Sequence, residues 1–291
     1  MPGWKAAPMT ITPETARTLI AAQFPHWAGL PVERVGVHGT VNAVFRLGDR
    51  LTARFPLVEQ DLPTEAAAAR ELLGATRFAT PEPVAMGEPG PGFPRPWAVQ
   101  TWLPGAVTSE DSHAGGDAFA YDLAEFIHGV RALDTRGRTF RGEGRGGHLP
   151  AHDEWMETCL RESEGLLDVP PLRRLWAELR ELPRDSPDVM THSDLIPGNL
   201  LADGDRLAGV LDVGGLGPAD PALDLVCAWH LLDHRTRGVL RAALGCGDLE
   251  WERGRAWAFE QAMGLVWHYV ESNPPMARLG RSTLHRIMTE S

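Results

Sequence analysis

The sequence predicts an α+β protein in two lobes, a small mostly-β N-terminal one and a larger mostly-α C-terminal one. Three observations lead there. Apolar runs of strand length cluster before residue 105, whereas stretches with helical spacing of apolar residues dominate after it. Pro104-Gly105 punctuates the chain between them. The charge divides at the same place: residues 1–105 carry nine acids and nine bases, while residues 106–291 carry 30 acids and 19 bases, the whole formal net charge of −11. The expected domains are therefore 1–105 and 106–291, with a hinge at 101–106.

The elements follow in order. Thr12-Pro13-Glu14 opens an amphipathic helix over 11–24. Two apolar runs, 43–47 and 51–55, flank Gly48-Asp49 and predict a hairpin. Pro63 and Thr64 open an alanine-rich helix over 61–76. The stretch 80–96 is too rich in proline and glycine for a helix interior and leads into a strand at 97–103. Beyond it, Phe119, Leu123, Phe126, Ile127 and Val130 recur at helical spacing, predicting a helix over 118–133. The Gly- and Arg-rich stretch 135–149 reads as a mobile loop. Helices are expected at 152–166 and 171–182. A second hairpin is expected around Asp203-Gly204. Further helices are expected at 221–233, at about 250–271 and at the C-terminus.

Composition excludes several function classes. Lys5 is the sole lysine, so no Gly-Lys-Ser/Thr phosphate loop and no core Schiff-base lysine is available. The acidic balance disfavours nucleic-acid binding. Three cysteines without a CxxC argue against a disulfide scaffold or zinc ribbon and for a reducing compartment. No apolar run is long enough to span a membrane, and residues 1–22 show no signal-peptide core, so a soluble cytoplasmic protein is expected. The acid surplus of the C-terminal part suits a cationic small-molecule substrate. Oligomeric state is not legible.

The chemistry concentrates in residues 191–225. His192-x-Asp194 is followed five residues later by Asn199, then by the apolar hairpin that ends at Asp212. A carboxylate that orients an acceptor hydroxyl, and an amide with a second carboxylate that hold magnesium, are the groups phosphoryl transfer from a nucleotide requires. The hairpin is a rigid mount for two converging ligands.

The stretches HSDLIPGN, VLDVGG and ADPALDL together resemble the catalytic core of the aminoglycoside phosphotransferases, antibiotic kinases with a protein-kinase-like fold. The resemblance implies Asp194 as catalytic base, Asn199 and Asp212 as Mg2+ ligands, and Asp224 as a buried acid bracing the catalytic loop. Ser193 stands where the family usually has glycine. The run GTVNAVFRLGDRLTARFP resembles the family's nucleotide loop and its flanking strands, with Gly36, Gly39, Thr40 and Asn42 near the phosphates. Arg54 takes the place of the strand lysine on the α and β phosphates, and Glu65, rather than Glu71, is its partner. The segment PWAVQTWLPG is similar to the hinge. There the resemblance places backbone groups of Thr101 and Leu103 against the base, and Gln100 behind it. ATP and GTP remain equally open.

The implied enzyme moves the γ-phosphoryl group of ATP or GTP to a hydroxyl of a small, cationic molecule, an aminoglycoside foremost. Macrolides, peptide antibiotics, and a metabolic amino alcohol or sugar are alternatives, as are a nucleotide-binding pseudokinase and a metal-dependent hydrolase. His192 and Asp220 read as loop braces. The Gly142–Gly147 run matches GxGxxG in the wrong context for a dinucleotide site. His230 and His234 have i, i+4 spacing but lack the glutamate of a zinc-protease helix. Glu260 and Glu271 are candidates for a substrate cation.

Overall fold

The computed structural model describes residues 10–36, 41–142 and 144–289. The chain divides into two compact units. One holds the residues up to Leu73 together with Thr80–Pro104, and the other holds Gly74–Ala79 together with Gly105 onward. The short segment 74–79 joins the second unit for a physical reason. Val210 N donates to Ala79 O (2.9 Å), and Arg77 pairs with Asp122 and Glu125.

The first unit contains α1 (Pro13–Gln23), β1 (Val32–Arg34), β2 (Asn42–Leu47), β3 (Leu51–Pro56), α2 (Leu62–Leu72), β4 (Pro83–Gly87) and β5 (Trp97–Thr101). The strands form one antiparallel sheet in the order β1-β2-β3-β5-β4. Thr12 Oγ1 accepts from Thr15 N (3.1 Å) and Asp61 Oδ1 accepts from Thr64 N (3.1 Å), so each helix starts where a side chain satisfies its first amides. Strand alternation sends Phe45, Leu47, Phe55, Trp97 and Val99 into one core with Leu19 and Ile20 of α1. The Phe55 and Trp97 rings stack with centroids 4.8 Å apart. Residues of opposite parity, including Arg54 and Gln100, leave that core to the other face. β4 arises inside the proline-rich stretch because it is an edge strand, where a missing ladder donor is tolerated. Gly87 closes it, and a Cβ there would enter the Trp97 indole.

The second unit contains β6 (Ala106–Val107), α3 (Asp117–Arg131), α4 (Asp153–Glu162), α5 (Val169–Leu179), β7 (Val189–Thr191), β8 (Leu200–Asp203), β9 (Arg206–Val210), β10 (Gly217–Ala219), α6 (Val226–Leu231), α7 (His234–Leu244), α8 (Asp248–His268) and α9 (Pro274–Thr289). α8 is its centre: Ala256, Trp257, Phe259, Ala262, Met263 and Val266 are all buried, so it is apolar around most of its circumference. α4, α5, α6 and α9 pack around it. Gly280 lets α9 approach the Ala262 carbonyl of α8.

α7, which the sequence reading did not place, buries Thr236, Arg237, Leu240 and Leu244 at helical spacing. Its N-cap is Asp233, whose Oδ1 accepts from Thr236 N (2.9 Å). The expected 221–233 helix instead comprises a 3-10 turn, Pro221–Leu225, and the short α6. His230 and His234 therefore lie on different helices, and no cluster of three or more metal-capable side chains occurs among the described residues. No helix among them is long and apolar enough to cross a membrane.

Asp122, buried on α3, ties this unit together. It accepts from Arg206 Nε (2.7 Å) and Nη2 (2.5 Å), from Arg77 Nη2 (2.6 Å) and from Leu207 N (3.0 Å). Burial works to raise its pKa, but these donors outweigh it and hold the carboxyl below the ordinary range. Asp122→Ala is expected to lower the free energy of unfolding by about 1–3 kcal/mol in urea titrations, since Arg77 and Arg206 are half exposed and remain solvated without it. Because the folded pKa is depressed, the carboxylate's contribution is complete above its ordinary pKa of 3.8 and disappears as pH falls through the lower folded value. Asp122→Asn should accordingly flatten the acid limb of the stability–pH curve.

Candidate active site

The segment that carries His192, Ser193 and Asp194 hangs between β7 and the β8–β9 hairpin. Its shape depends on Asp224, a fully buried carboxylate whose Oδ2 accepts from His192 N (2.9 Å) and whose Oδ1 accepts from Ser193 N (2.8 Å). Burial raises the Asp224 pKa, against the nearby His192 and the two amide donors. The His192 ring links loop to hairpin: Nε2 donates to Leu211 O (3.0 Å), and Nδ1 accepts from Asp194 N (3.4 Å). Ser193 sits at φ +73°, the left-handed region where the family's glycine is at ease. Its hydroxyl donates to Gly215 O (3.3 Å).

Asp194 emerges with its side chain about one-third exposed. Asn199, in the 3-10 turn Pro197–Asn199, gives its amide nitrogen to Asp194 O (2.9 Å) and Oδ2 (3.0 Å). That orientation keeps the amide oxygen of Asn199 as an acceptor. Leu211 N donates to Asn199 O (2.7 Å), so Asp212, the next residue, lies beside Asn199 across the base of the hairpin. Asp212 adopts φ +56°, a left-handed turn that ends the strand. An amide oxygen and a carboxylate on one rigid hairpin are a hard-oxygen donor pair and fit Mg2+, which keeps most of its ligands as water or phosphate oxygens.

Two side chains that sequence reasoning did not place at the site also contact Asp194. Arg145 Nη2 donates to Asp194 Oδ1 (3.1 Å) and Ser193 O (3.3 Å). Gln261 Nε2 donates to the same Oδ1 (2.7 Å). Arg145 lies in the stretch read as a mobile loop, and three carbonyls beside it are hydrogen-bonded to other segments. Gly144 O meets His152 Nε2 (3.1 Å), Gly146 O accepts from Asp220 N (2.8 Å), and Gly147 O accepts from Arg253 Nη2 (3.3 Å). Asp220 is a brace of a different kind from the one expected. Its side chain holds Arg253, Trp257 Nε1 (3.0 Å) and Ala222 N (3.0 Å), not the loop at His192.

In the first unit, Arg54 on β3 faces Glu65 on α2 (Nη1–Oε2 3.5 Å), the pair expected in preference to Glu71. Asn42 is buried at the start of β2, and its Oδ1 has no partner among the described residues. Gln100 lies on β5 opposite Thr52 and Pro83. Thr101 N is taken by Glu82 O (3.0 Å), so Thr101 offers no free amide, and Leu103 follows the strand half-buried. Gly39 and Thr40 lie outside the described residues. Of the two acids suggested for a substrate cation, Glu260 is enclosed against His152 Nδ1 (2.9 Å), and Glu271 is exposed.

Fold and loop together are those of the protein-kinase-like class, a mostly-β N-terminal part and a mostly-α part carrying the catalytic loop. The chain belongs to the phosphotransferase enzyme family (APH), whose sequence profile matches residues 32–257. It is 29% identical over 143 residues to aminoglycoside 3'-phosphotransferases of Escherichia coli and of Salmonella typhimurium. That match covers 47% of this chain and 52% of each relative, so the chain spans about half the length of the curated relatives it matches. Among solved structures, the GDP complex of wild-type aminoglycoside 2'-phosphotransferase-IIIa superposes with a TM-score of 0.70. It is 17% identical and covers 97% of this chain and 100% of that one. The apoenzyme of macrolide 2'-phosphotransferase MphH from Brachybacterium faecium superposes with a TM-score of 0.59. It is also 17% identical and covers 92% and 97% of the two chains.

The strain at Ser193 is directly testable. Ser193→Gly is expected to be as stable as the parent or up to about 1 kcal/mol more stable, the lost hydroxyl contact partly offsetting the relief. Ser193→Val should cost about 2 kcal/mol, since a β-branched side chain tolerates positive φ least. Denaturant titration of the three proteins measures both differences.

Proposed function

We propose that this protein is a Mg2+-dependent small-molecule O-phosphotransferase that moves the γ-phosphoryl group of ATP or GTP to a hydroxyl of an antibiotic, an aminoglycoside foremost. The observation that carries the reading is the constellation around Asp194: a carboxylate one-third exposed in a braced loop, with Asn199 bonded to it and Asp212 following the residue paired with Asn199 across the hairpin. Kinship with aminoglycoside 3'-phosphotransferases supports the acceptor class, and the acid surplus after residue 105 suits a polycationic acceptor.

In this reading Asp194 accepts the hydrogen bond of the acceptor hydroxyl and fixes its oxygen in line with the γ-phosphorus. The acceptor oxygen forms the new P–O bond as the bond to the bridging oxygen breaks. The nucleoside diphosphate leaves with that electron pair, and the hydroxyl proton passes to Asp194 and then to solvent. Asn199 and Asp212 would hold Mg2+, which when bound neutralises phosphate charge. Arg54, a permanently charged fork, binds phosphate oxygens while Glu65 keeps it extended. Asn42 supplies a buried polar atom near the phosphate-binding loop that Gly39 and Thr40 would complete. With the Thr101 amide committed to Glu82, the backbone donor to the base falls to Leu103. Most of the rate comes from positioning and electrostatics, because phosphoryl transfer asks little covalent chemistry of the protein.

The test is a panel of kanamycin, gentamicin, streptomycin, a macrolide and a small amino alcohol, each with ATP and with GTP plus Mg2+. The readout is a mass gain of one phosphoryl group. Asp194→Ala is expected to lose roughly 10²–10⁴-fold in kcat while still binding nucleotide in titration calorimetry. Unchanged turnover in that variant sinks the assignment. Arg54→Ala should raise the nucleotide KM by about tenfold or more, the scale of a charged phosphate contact of 1.5–3 kcal/mol, with the acceptor KM unaffected.

A further inference from the structure

Asp194 is the end point of a chain of hydrogen bonds that begins in the core of the second unit. Thr283 on α9 meets His230 on α6 (Oγ1–Nδ1 2.8 Å), His230 meets Gln261 on α8 (Nε2–Oε1 3.0 Å), and Gln261 meets Asp194 (Nε2–Oδ1 2.7 Å). Thr283 and His230 are fully buried and Gln261 is 7% exposed.

Elementary donor and acceptor rules give this chain one direction. An ionised carboxylate only accepts, so Gln261 turns its NH2 group toward Asp194 and its carbonyl toward His230. That carbonyl needs a donor, which places the imidazole proton on Nε2. A neutral ring then offers Nδ1 as acceptor, and the Thr283 hydroxyl must donate to it. Burial also pushes the His230 pKa down to about 4, keeping the ring neutral. Every donor in the chain thus points toward the catalytic carboxylate. A flipped Gln261 would set carbonyl against carboxylate and NH2 against Nε2–H at once.

We propose that Thr283, His230 and Gln261 form a directed hydrogen-bond relay that positions the Asp194 carboxylate, with Arg145 donating to the same oxygen. The inference rests on Asp194 being the acceptor-orienting group. Oδ1 accepts from both Gln261 and Arg145, and Oδ2 accepts from Asn199. A carboxylate has about four acceptor sites. Three are filled, and the remaining one lies on Oδ2, which becomes the atom that meets the acceptor hydroxyl. Gln261, His230 and Thr283 are positioning residues; none of them need touch substrate.

Two measurements test this. The first is 15N NMR of histidine-labelled protein. His230 should show a protonated Nε2 and a bare, hydrogen-bonded Nδ1 at neutral pH. A proton on Nδ1, or on both nitrogens, overturns the relay whatever the enzyme's activity. The second is steady-state kinetics with the fastest acceptor of the panel above. Thr283→Val should lower kcat roughly threefold to tenfold, the worth of one hydrogen bond, and Gln261→Leu roughly tenfold to a hundredfold, the worth of a bond to a charged group. Thr283→Val leaves the buried Nδ1 without a donor, so its melting temperature should fall by a few degrees while nucleotide KM changes little, and Thr283→Ser should restore kcat to within about twofold of the parent. In an Asp194→Ala background, which removes both accepting oxygens, Thr283→Val should have no further effect on the residual turnover. If Asp194→Ala is inactive while both relay variants keep parental kcat, the relay is wrong and the assignment of Asp194 stands. If the parent transfers phosphoryl to nothing in the panel, the functional reading fails, and the NMR result still decides the relay.

Discussion

The site depends on one buried carboxylate. Asp224 has no access to solvent and satisfies two consecutive backbone amides, those of His192 and Ser193. Buried amides without partners are costly, so the loop can turn at this point only because Asp224 is there. The turn requires a left-handed residue, and Ser193 takes that conformation at some strain. Asp194 then projects away from the core, and the His192 ring locks the loop to Leu211, the last residue before Asp212. The geometry of Asp194, Asn199 and Asp212 is thus built from backbone hydrogen bonds rather than from the packing of the three side chains.

A second layer of charge surrounds this frame. Several acids after residue 105 are matched by arginines, which leaves the net surplus itself unpaired. Asp122 holds Arg77 and Arg206, Asp153 holds Arg180, Asp220 holds Arg253, and Glu250 holds Arg131. Of these acids, Asp122 and Asp220 are buried and are not available to a substrate. The arginines opposite them explain how a protein with one lysine assembles its interior, since a planar fork can bridge a carboxylate and several carbonyls at once. Arg253 does so, joining Asp220 to the carbonyls of Leu182, Pro183 and Gly147. Through Gly147 it also steadies the loop that delivers Arg145 to Asp194.

Much of this was legible in the order of residues. The Asp194–Asn199 spacing lies within one loop, Asp212 follows one hairpin later, and caps such as Thr12 and Asp61 act on amides three residues away. Arg54 with Glu65 was legible through the family resemblance, by the spacing of Glu65 to the segment that follows the helix. What failed also had local causes. β4 was hidden by prolines that an edge strand tolerates, and half of the buried stripe of α7 is made of the polar Thr236 and Arg237. The Gly-Arg stretch read as mobile because its anchors, Asp220, Arg253 and His152, belong to other segments.

The amino-acid sequence by itself determined the chemical groups, their order and the units that carry them, because hydrophobic period, turn residues and short-range spacing act over a few residues. Only the tertiary structure decided what presses on Asp194. Arg145 is 49 residues before it and Gln261 is 67 after it. Thr283 reaches His230 across 53 residues. Contacts of that range arise where α6, α8 and α9 pack side by side, and helix packing selects which polar side chains meet in a buried seam. The direction of the resulting hydrogen bonds follows from a single fact of chemistry, that the carboxylate at the end can only accept.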